Sequence, residues 1–258
     1  MPSPPRPIGQ YYGDETPPQT PADVAVVIPT LLRPDIADAL RSIYEQDFRG
    51  RIQVVIGTDV AQGDRAVLEA ALEARPPHVS AVFLNLPYST SVRHGGVHLA
   101  LDGGALRALL SFIANSRYVT YLDDDNLMLR SHLRLLHQAV QDQAWSYSQR
   151  MLVDEATGED LAVDRWDSVG PNRGRMAEQG GFVDTNVLMI DKVRVGKALG
   201  RWAEPLFPAQ KPGLTADRHF FQAIAAAPHR RVEEATIRYK VRPTNIMLKL
   251  MRAGVEYE

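Results

Sequence analysis

Short apolar runs alternate with amphipathic segments over the first half of the chain. The apolar runs are rich in β-branched residues and predict buried strands at residues 24–29, 52–57, 78–86 and 118–122. The segments between them predict helices at residues 34–46, 65–74 and 103–115. Strands that alternate with helices indicate βαβ units, so the fold class is α/β with a mainly parallel sheet and helices on both of its faces.

The pattern becomes less regular after residue 126. Strands are predicted at residues 145–153 and 160–164, as parts of a separate antiparallel piece, and another strand at residues 182–190. Helices are predicted at residues 131–142 and 217–227. No internal repeat is visible, and we expect one continuous domain over residues 23–258, with a regular half at 23–126 and a less regular half at 127–258.

The N-terminal segment differs from the rest in composition. Nine of the 18 prolines lie within the first 34 residues, which predicts an extended, proline-rich arm over residues 1–22. This segment could be either a poorly ordered tail or a functional arm. This segment lacks the apolar core of a signal peptide. The chain also lacks a run of about 18 apolar residues, which a membrane span would require. A cytoplasmic protein, with membrane contact at most peripheral, is therefore expected.

Composition narrows the class of protein. The 258 residues are 45% hydrophobic and 23% charged, as in ordinary globular proteins. The absence of cysteine excludes a disulfide scaffold, a thiol nucleophile and any cysteine-containing metal site. The net charge of −2 argues against a broad nucleic-acid-binding face.

Three consecutive carboxylates carry the strongest chemical signal. Asp123, Asp124 and Asp125 follow the predicted strand at 118–122, and ligands of open α/β sheets bind beyond that end of the strands. Adjacent carboxylates are electrostatically unfavourable unless a cation compensates them, and clustered oxygen ligands select hard ions such as Mg²⁺ or Mn²⁺. The cluster therefore predicts a metal-bridged diphosphate. A solvated turn that caps the next helix is the alternative.

Residues 26–30 (VVIPT), 54–59 (VVIGTD) and 121–126 (YLDDDN) resemble, in order and spacing, family 2 glycosyltransferases of the GT-A fold. The resemblance extends over about residues 23–245. It implies a GT-A-like, Rossmann-related fold in which 23–126 is the nucleotide-binding half and 127–258 the acceptor-side half. It also implies metal-dependent transfer of a sugar, with inversion, from a nucleotide-diphosphate sugar to a hydroxyl acceptor in glycan or polysaccharide synthesis. UDP is the expected nucleotide, and Mn²⁺ or Mg²⁺ the expected cofactor.

The same resemblance implies roles for individual residues. It assigns to the nucleoside pocket Pro29, Thr30 and Arg33. Asp59 would hydrogen-bond the base, and Arg107 would lie near the nucleoside or the diphosphate. Of the triplet, Asp125 would hold the metal and Asp123 would face the ribose or a metal-bound water. Asp124 would be structural or would touch the donor sugar.

The transfer needs a general base, and two carboxylates are candidates. Asp217, at the start of a predicted helix, is the first, although it could merely cap that helix. Asp184 is the second, and bracing its own strand is the alternative role. It follows Gly181, whose missing side chain would permit close approach of a donor sugar.

A basic segment near the C-terminus could contact the diphosphate. Arg238, Lys240 and Arg242 alternate along the chain, so they would share one face of an extended segment. Lys240 and Arg242 would then close over the bound donor as a lid, with a solvated basic edge strand as the alternative.

Two other functions compete with sugar transfer. A sugar nucleotidyltransferase would use a similar sheet and acidic site, but it needs a Gly-rich phosphate loop that residues 28–34 (IPTLLRP) lack. A non-catalytic nucleotide-sugar-binding subunit is the other alternative. Neither the acceptor nor the oligomeric state follows from the sequence.

Overall fold

The structure, a computed structural model, describes residues 8–59, 63–99, 103–204 and 215–257. Its strands are β1 (Gly9–Tyr12), β2 (Ala22–Thr30), β3 (Ile52–Thr58), β4 (Val79–Asn85), β5 (Ser116–Tyr121), β6 (Leu127–Met128), β7 (Trp145–Asp154), β8 (Asp160–Val163), β9 (Gly170–Pro171), β10 (Gly181–Phe182), β11 (Leu188–Asp191) and β12 (His229–Val241). Its α-helices are α1 (Ile36–Tyr44), α2 (Arg65–Glu73), α3 (Gly104–Ile113), α4 (His132–Val140), α5 (Lys192–Val195), α6 (Ala216–Ile224) and α7 (Ile246–Arg252). Within these ranges, 3₁₀ segments lie at Val92–His94, Gly174–Gln179, Thr185–Val187 and Gly196–Trp202.

The centre of the fold is a parallel sheet with the order β4-β3-β2-β5. All seven residues of β3 are buried, as the continuous apolar run at 52–57 predicts. Helices α1 and α3 bury their apolar stripes against the core that this sheet forms. Gly57 lets α3 approach β3, since a Cβ there would lie 2.8 Å from Leu106 Cδ1. The predicted α/β fold class is confirmed.

The second half of the chain extends this same sheet. Strand β11 pairs antiparallel with both β5 and β7, and β12 then runs parallel to β7. The expectation that residues 145–153 and 160–164 form a separate piece is wrong, because β7 joins the central sheet and β8 pairs with β7. The pattern of a strand indicates its burial but does not identify its partner, which is here distant in sequence.

The strand predicted at residues 182–190 is interrupted. Its first part is β10 and its last part is β11, with a 3₁₀ turn over Thr185–Val187 between them. The Asp184 carboxylate accepts a hydrogen bond from the Asn186 N–H at 2.9 Å and so caps that turn. This local bond ends the extended conformation, although the surrounding residues are apolar.

Part of the proline-rich segment is ordered against the sheet edge. Strand β1 pairs antiparallel with β4, with Gly9 opposite Leu84 and Tyr12 opposite Ala81. The pattern did not predict this strand, because proline and glycine surround it. Residues 1–7 lie outside the described part of the chain. No helix among the described residues has the length and apolarity needed to cross a membrane.

Candidate functional site

A cavity of about 550 Å³ opens where β2, β3 and β5 end. This is the edge at which ligands of open α/β sheets bind. Most of the donor-binding and metal-binding residues predicted from the sequence line it, namely Pro29, Thr30, Arg33, Asp59, Arg107, Asp123, Asp124, Asp125, Lys240 and Arg242. Arg93 and His94 also line it, and the sequence analysis did not place them at this site. The short 3₁₀ turn that carries them has no periodic signal.

Asp124 connects the end of β5 to the segment that follows β2. Its carboxylate is only 2% exposed and accepts hydrogen bonds from Thr30 Oγ1 at 2.5 Å and from Arg33 Nε at 3.0 Å. Thr30 Oγ1 also accepts the Leu32 N–H at 2.8 Å, and Leu32 has a left-handed backbone with φ of 61°. Both Asp124 oxygens are therefore engaged in shaping the rim of the cavity.

Asp123 is bound from two sides. Arg107, from α3, forms a salt bridge with Asp123 Oδ1, and Asn186 Nδ2 donates to Asp123 Oδ2 at 2.9 Å. The Asp123 N–H donates in turn to Asn186 Oδ1 at 2.7 Å. Asn186 therefore fixes both the backbone and the side chain of Asp123. Sequence reasoning missed Asn186, and the signal available was the polar sequence of residues 184–186 (DTN) inside an apolar stretch.

Asp125 is the least compensated carboxylate of the triplet. Its Oδ2 receives Arg33 Nη1 at 2.9 Å, its one salt bridge among the described residues. Burial, the neighbouring charge of Asp123 and, to a smaller extent, that of Asp124 raise the pKa of Asp125, and Arg33 offsets them only in part. An additional cation would therefore stabilise the ionised carboxylate of Asp125.

The donor set fits a small hard cation only in combination with a ligand. Within the described ranges, no three His, Asp or Glu side chains come together as a ready-made metal cage. Mg²⁺ is usually held by one or two carboxylates and completes its shell with water and substrate phosphates. Asp125, with Asp123 two residues before it, meets that smaller requirement.

Asp59 is oriented at the end of β3 by a neighbouring loop. It is 8% exposed, and its Oδ1 accepts hydrogen bonds from Ser89 Oγ and from the Thr90 N–H, both at 2.8 Å. Its Oδ2 accepts none from the described residues. The carboxylate therefore offers one oxygen to a ligand in the cavity. The sequence did not indicate this role for Ser89 or Thr90.

Two cations near the C-terminus complete the cavity wall. Lys240, near the end of β12, pairs through Nζ with Asp35, and Arg242 Nε lies 3.2 Å from Glu155 Oε1. Arg238 turns away from the cavity and pairs with Asp160 of β8 at 2.8 Å. Of the three alternating cations, Lys240 and Arg242 are those that line the cavity.

A second cavity of about 210 Å³ contains the two candidate bases, Asp184 and Asp217. It adjoins the first, because Tyr239 and Asn245 line both. Asp217 lies in the first turn of α6, where its Oδ1 accepts the Arg218 N–H at 2.8 Å and the Thr215 hydroxyl. The N-cap residue of α6 is Thr215, so Asp217 lies inside the first turn and not at the cap position.

Asp184 belongs to a buried charge cluster that forms part of the wall of this second cavity. Arg150 is 2% exposed and contacts Asp164 at 2.8 Å, Asp167 at 3.2 Å and Asp184 at 2.6 Å. Burial raises the pKa of Asp184 to about 6, against the lowering effect of Arg150. Asn186 Nδ2 donates to Asp184 Oδ1 at 2.8 Å as well as to Asp123. Asp184 is therefore linked through Asn186 to the acidic triplet.

Gly181 lies outside both cavities. Its backbone has φ of +79°, and a Cβ there would lie 2.1 Å from the Gly170 carbonyl oxygen. The close pairing of β9 with β10 therefore requires glycine at this position.

No family model matches the chain, and no curated protein matches it by sequence. Solved structures match it in fold. The crystal structure of S. aureus TarS 1–349 has a TM-score of 0.59 at 14% identity, covering 84% of this chain and 60% of that one. The complex of TarS 1–349 with UDP-GlcNAc has a TM-score of 0.56 at 13% identity, covering 88% and 60%.

A mannosyltransferase structure matches at a similar level. The mannosyltransferase PcManGT from Pyrobaculum calidifontis, in complex with GDP-Man and Mn²⁺, has a TM-score of 0.56 at 17% identity, covering 94% of this chain and 64% of that one. The chain thus spans about 60% of the length of these three structures. At these identities the likeness establishes the fold alone: the chain has the GT-A-like fold that these structures share.

Proposed function

We propose that this protein transfers a sugar from a nucleotide-diphosphate sugar to a hydroxyl acceptor, with inversion, in glycan or polysaccharide synthesis. One observation carries the proposal: a single cavity at the ends of β2, β3 and β5 holds the acidic triplet, Asp59, and five Arg and Lys side chains suited to a diphosphate. The fold supports it, because structures of the same fold were solved with UDP, UDP-GlcNAc and GDP-Man. In this proposal the enzyme is a hexosyltransferase.

The base of the donor is uracil in this proposal. Guanine presents two adjacent N–H donors to a carboxylate, whereas uracil presents one N–H between two carbonyl groups. Asp59 Oδ1 already accepts two hydrogen bonds from the loop at residues 89–90, so one carboxylate oxygen is left for the base. That arrangement suits a single N–H. Pro29, Thr30 and Arg33 form the adjoining wall of the nucleoside pocket.

A divalent cation, Mn²⁺ or Mg²⁺, would be held by Asp125, with Asp123 as its second carboxylate. The raised pKa of Asp125 supports this choice, because it reflects a negative charge that Arg33 compensates only in part. When bound, such an ion would stabilise the negative charge that develops on the departing diphosphate. Arg107 and Arg33, already paired with the triplet, would stabilise the same charge from the protein side.

Lys240 and Arg242 would bind the diphosphate. Each is now paired with one carboxylate at the protein surface, and such exposed pairs contribute little. A diphosphate carries more charge than one carboxylate, so donor binding would draw both cations away from their present partners and towards the diphosphate.

Asp217 would be the general base. It lines the second cavity, next to the donor cavity, where a hydroxyl acceptor would approach the anomeric carbon from the side opposite the diphosphate. Asp184 is the alternative base. Both of its oxygens are engaged, by Arg150 and by Asn186, which favours a positioning role for it.

The Asp125→Asn substitution tests the metal and donor assignments. We expect it to lower Mn²⁺-dependent release of UDP from UDP-sugars by at least about 100-fold, since charge stabilisation by a metal ion is worth several kcal/mol. The fold should persist, because the raised pKa of Asp125 means that ionising this carboxyl disfavours the folded state.

The matched control is Asp38→Asn, which makes the same change of charge at an exposed pair on α1. It should leave turnover unchanged. Circular dichroism would establish folding of both variants. Full turnover by folded Asp125→Asn would contradict the metal site, and proton NMR of the product would test inversion at the anomeric carbon.

A further inference from the structure

Helix α3 exposes an apolar face. Leu109, Phe112 and Ile113 are 40%, 59% and 46% exposed. Their spacing of i, i+3 and i+4 places them side by side on one face of the helix. The opposite face is also apolar, with Leu106 and Leu110 in the core. Contiguous apolar residues at a surface mark an interaction site.

A basic segment lies against the end of this helix. Lys192 Nζ donates to the Ser111 carbonyl oxygen at 3.3 Å, which fixes the start of α5 beside the last turn of α3. Val193, the next residue, is 71% exposed and adds another apolar side chain at the surface. The segment that begins at Lys192 also contains Arg194, Lys197 and Arg201.

The surroundings of the apolar face are positively charged. Residues 103–122 and 192–203 contain no Asp or Glu, although the whole chain has 31. Asp191 is fully buried and is shared by Arg117 and Arg194, and Arg201 pairs with Glu204. Cations therefore outnumber carboxylates around this part of the surface, in a chain whose net charge is −2.

We propose that this surface, formed by Leu109, Phe112, Ile113 and Val193 with the basic residues at 117 and 192–201, binds an anionic lipid bilayer. Apolar side chains would enter the interface between headgroups and acyl chains, and the surrounding cations would attract the anionic headgroups. A second copy of the chain fits less well, because a two-fold dimer through this surface would bring the two basic rims together. The proposal is independent of the nucleotide-sugar assignment.

Such docking would hold the candidate site close to the membrane. Arg107 extends from the buried side of α3 into the large cavity, whereas Phe112 projects from the exposed side. One helix would thus contact the bilayer and contribute to the cavity.

Co-sedimentation of the full chain with lipid vesicles tests the proposal. We expect binding to vesicles of phosphatidylcholine mixed with phosphatidylglycerol, weakened by salt, and little binding to phosphatidylcholine alone. Phe112→Glu should weaken binding to the mixed vesicles at least about tenfold, because it removes an inserted ring and adds a repelled charge. Lys197→Glu should weaken it about fivefold to tenfold.

Matched controls make the same changes elsewhere. Ile8→Glu, at a residue 59% exposed beside β1, and Arg49→Glu, at an exposed arginine, should leave binding unchanged. Phe112→Ser removes the ring without adding a charge and should also weaken binding, and thermal unfolding by circular dichroism would establish that each variant folds.

Three results would overturn the proposal. These are absence of binding to the mixed vesicles, equal binding by the wild type and folded Phe112→Glu, and a dimer in sedimentation velocity that Phe112→Glu abolishes. Turnover of a nucleotide sugar without vesicles tests the proposed function separately, so failure of either proposal is distinguishable from failure of the other.

Discussion

At the scale of single residues, burial together with the surrounding charges and donors distinguishes the acidic groups of this site. Asp124 has a donor at each oxygen, and these bonds hold the segment after β2. Asp125 is half-buried beside Asp123 with Arg33 as its salt-bridge partner, and Asp184 is buried although donors engage both of its oxygens; the pKa values of both are raised. Buried carboxylates with raised pKa values are often found at binding and catalytic sites.

Asp217 and Asp184 should give different signatures when changed to asparagine. Asp217→Asn should lower kcat about 100-fold with little change in KM, because it removes a general base. Asp184→Asn should instead change how stability depends on pH. The carboxyl of Asp184 has a pKa of about 6 when folded and about 3.9 when unfolded.

Between these two pH values the unfolded chain releases the proton first, so wild-type stability falls relative to Asp184→Asn as the pH rises from about 4 to about 6. The fall amounts to about 3 kcal/mol at most, since one pKa unit is about 1.4 kcal/mol. Urea unfolding of both proteins at several pH values measures it. If the difference in stability between the two proteins did not depend on pH, the raised pKa of Asp184 would be contradicted. If only Asp184→Asn, and not Asp217→Asn, lowered kcat, Asp184 would be the general base.

At the scale of elements, β12 brings cations from the C-terminal part of the chain to a cavity built by the N-terminal half. Because β12 pairs with β7, it ends at the same edge of the sheet as β5. Lys240, near that end of β12, forms a salt bridge with Asp35, the residue before α1. The segment after β12 thereby contributes to the cavity wall. The strand is thus part of the site as well as of the sheet.

Lys240→Met should therefore raise the KM for the nucleotide-sugar donor about tenfold and change kcat less, because a charge-assisted hydrogen bond to the diphosphate is lost. Lys249→Met is the matched control, since Lys249 is exposed on α7 and lines neither cavity. Steady-state kinetics with varied donor would measure both. An unchanged KM for Lys240→Met would remove Lys240 from the donor site.

Elements with strong periodicity were predictable, and those that depend on distant partners were not. The strands at 24–29 and 52–57 and the helix at 34–46 are present with small shifts at their ends. Strand β12 begins with a polar, charged sequence (HRRVEE) and so has no strand pattern of its own. It is extended because β7 lies beside it. Such a partner cannot be inferred from local sequence.

At the scale of the whole molecule, strand order explains why part of the site was predictable. Parallel strands β2, β3 and β5 end at one edge of the sheet, so residues that follow them, such as Arg33, Asp59 and Asp123, had to converge. Asn186 and Arg150 were not predictable in this way. They reach the site through antiparallel pairing and a capped turn, which local patterns do not encode.

The proposed function requires that this cavity bind and turn over a nucleotide-diphosphate sugar. The most direct measurement is release of nucleotide diphosphate by the wild-type protein from a panel of UDP-, GDP- and dTDP-sugars, with Mn²⁺ and with a chelator. We expect release from a UDP-sugar that depends on the metal ion. No release from any member of the panel, together with no binding of UDP in the presence of Mn²⁺, would contradict the proposed function.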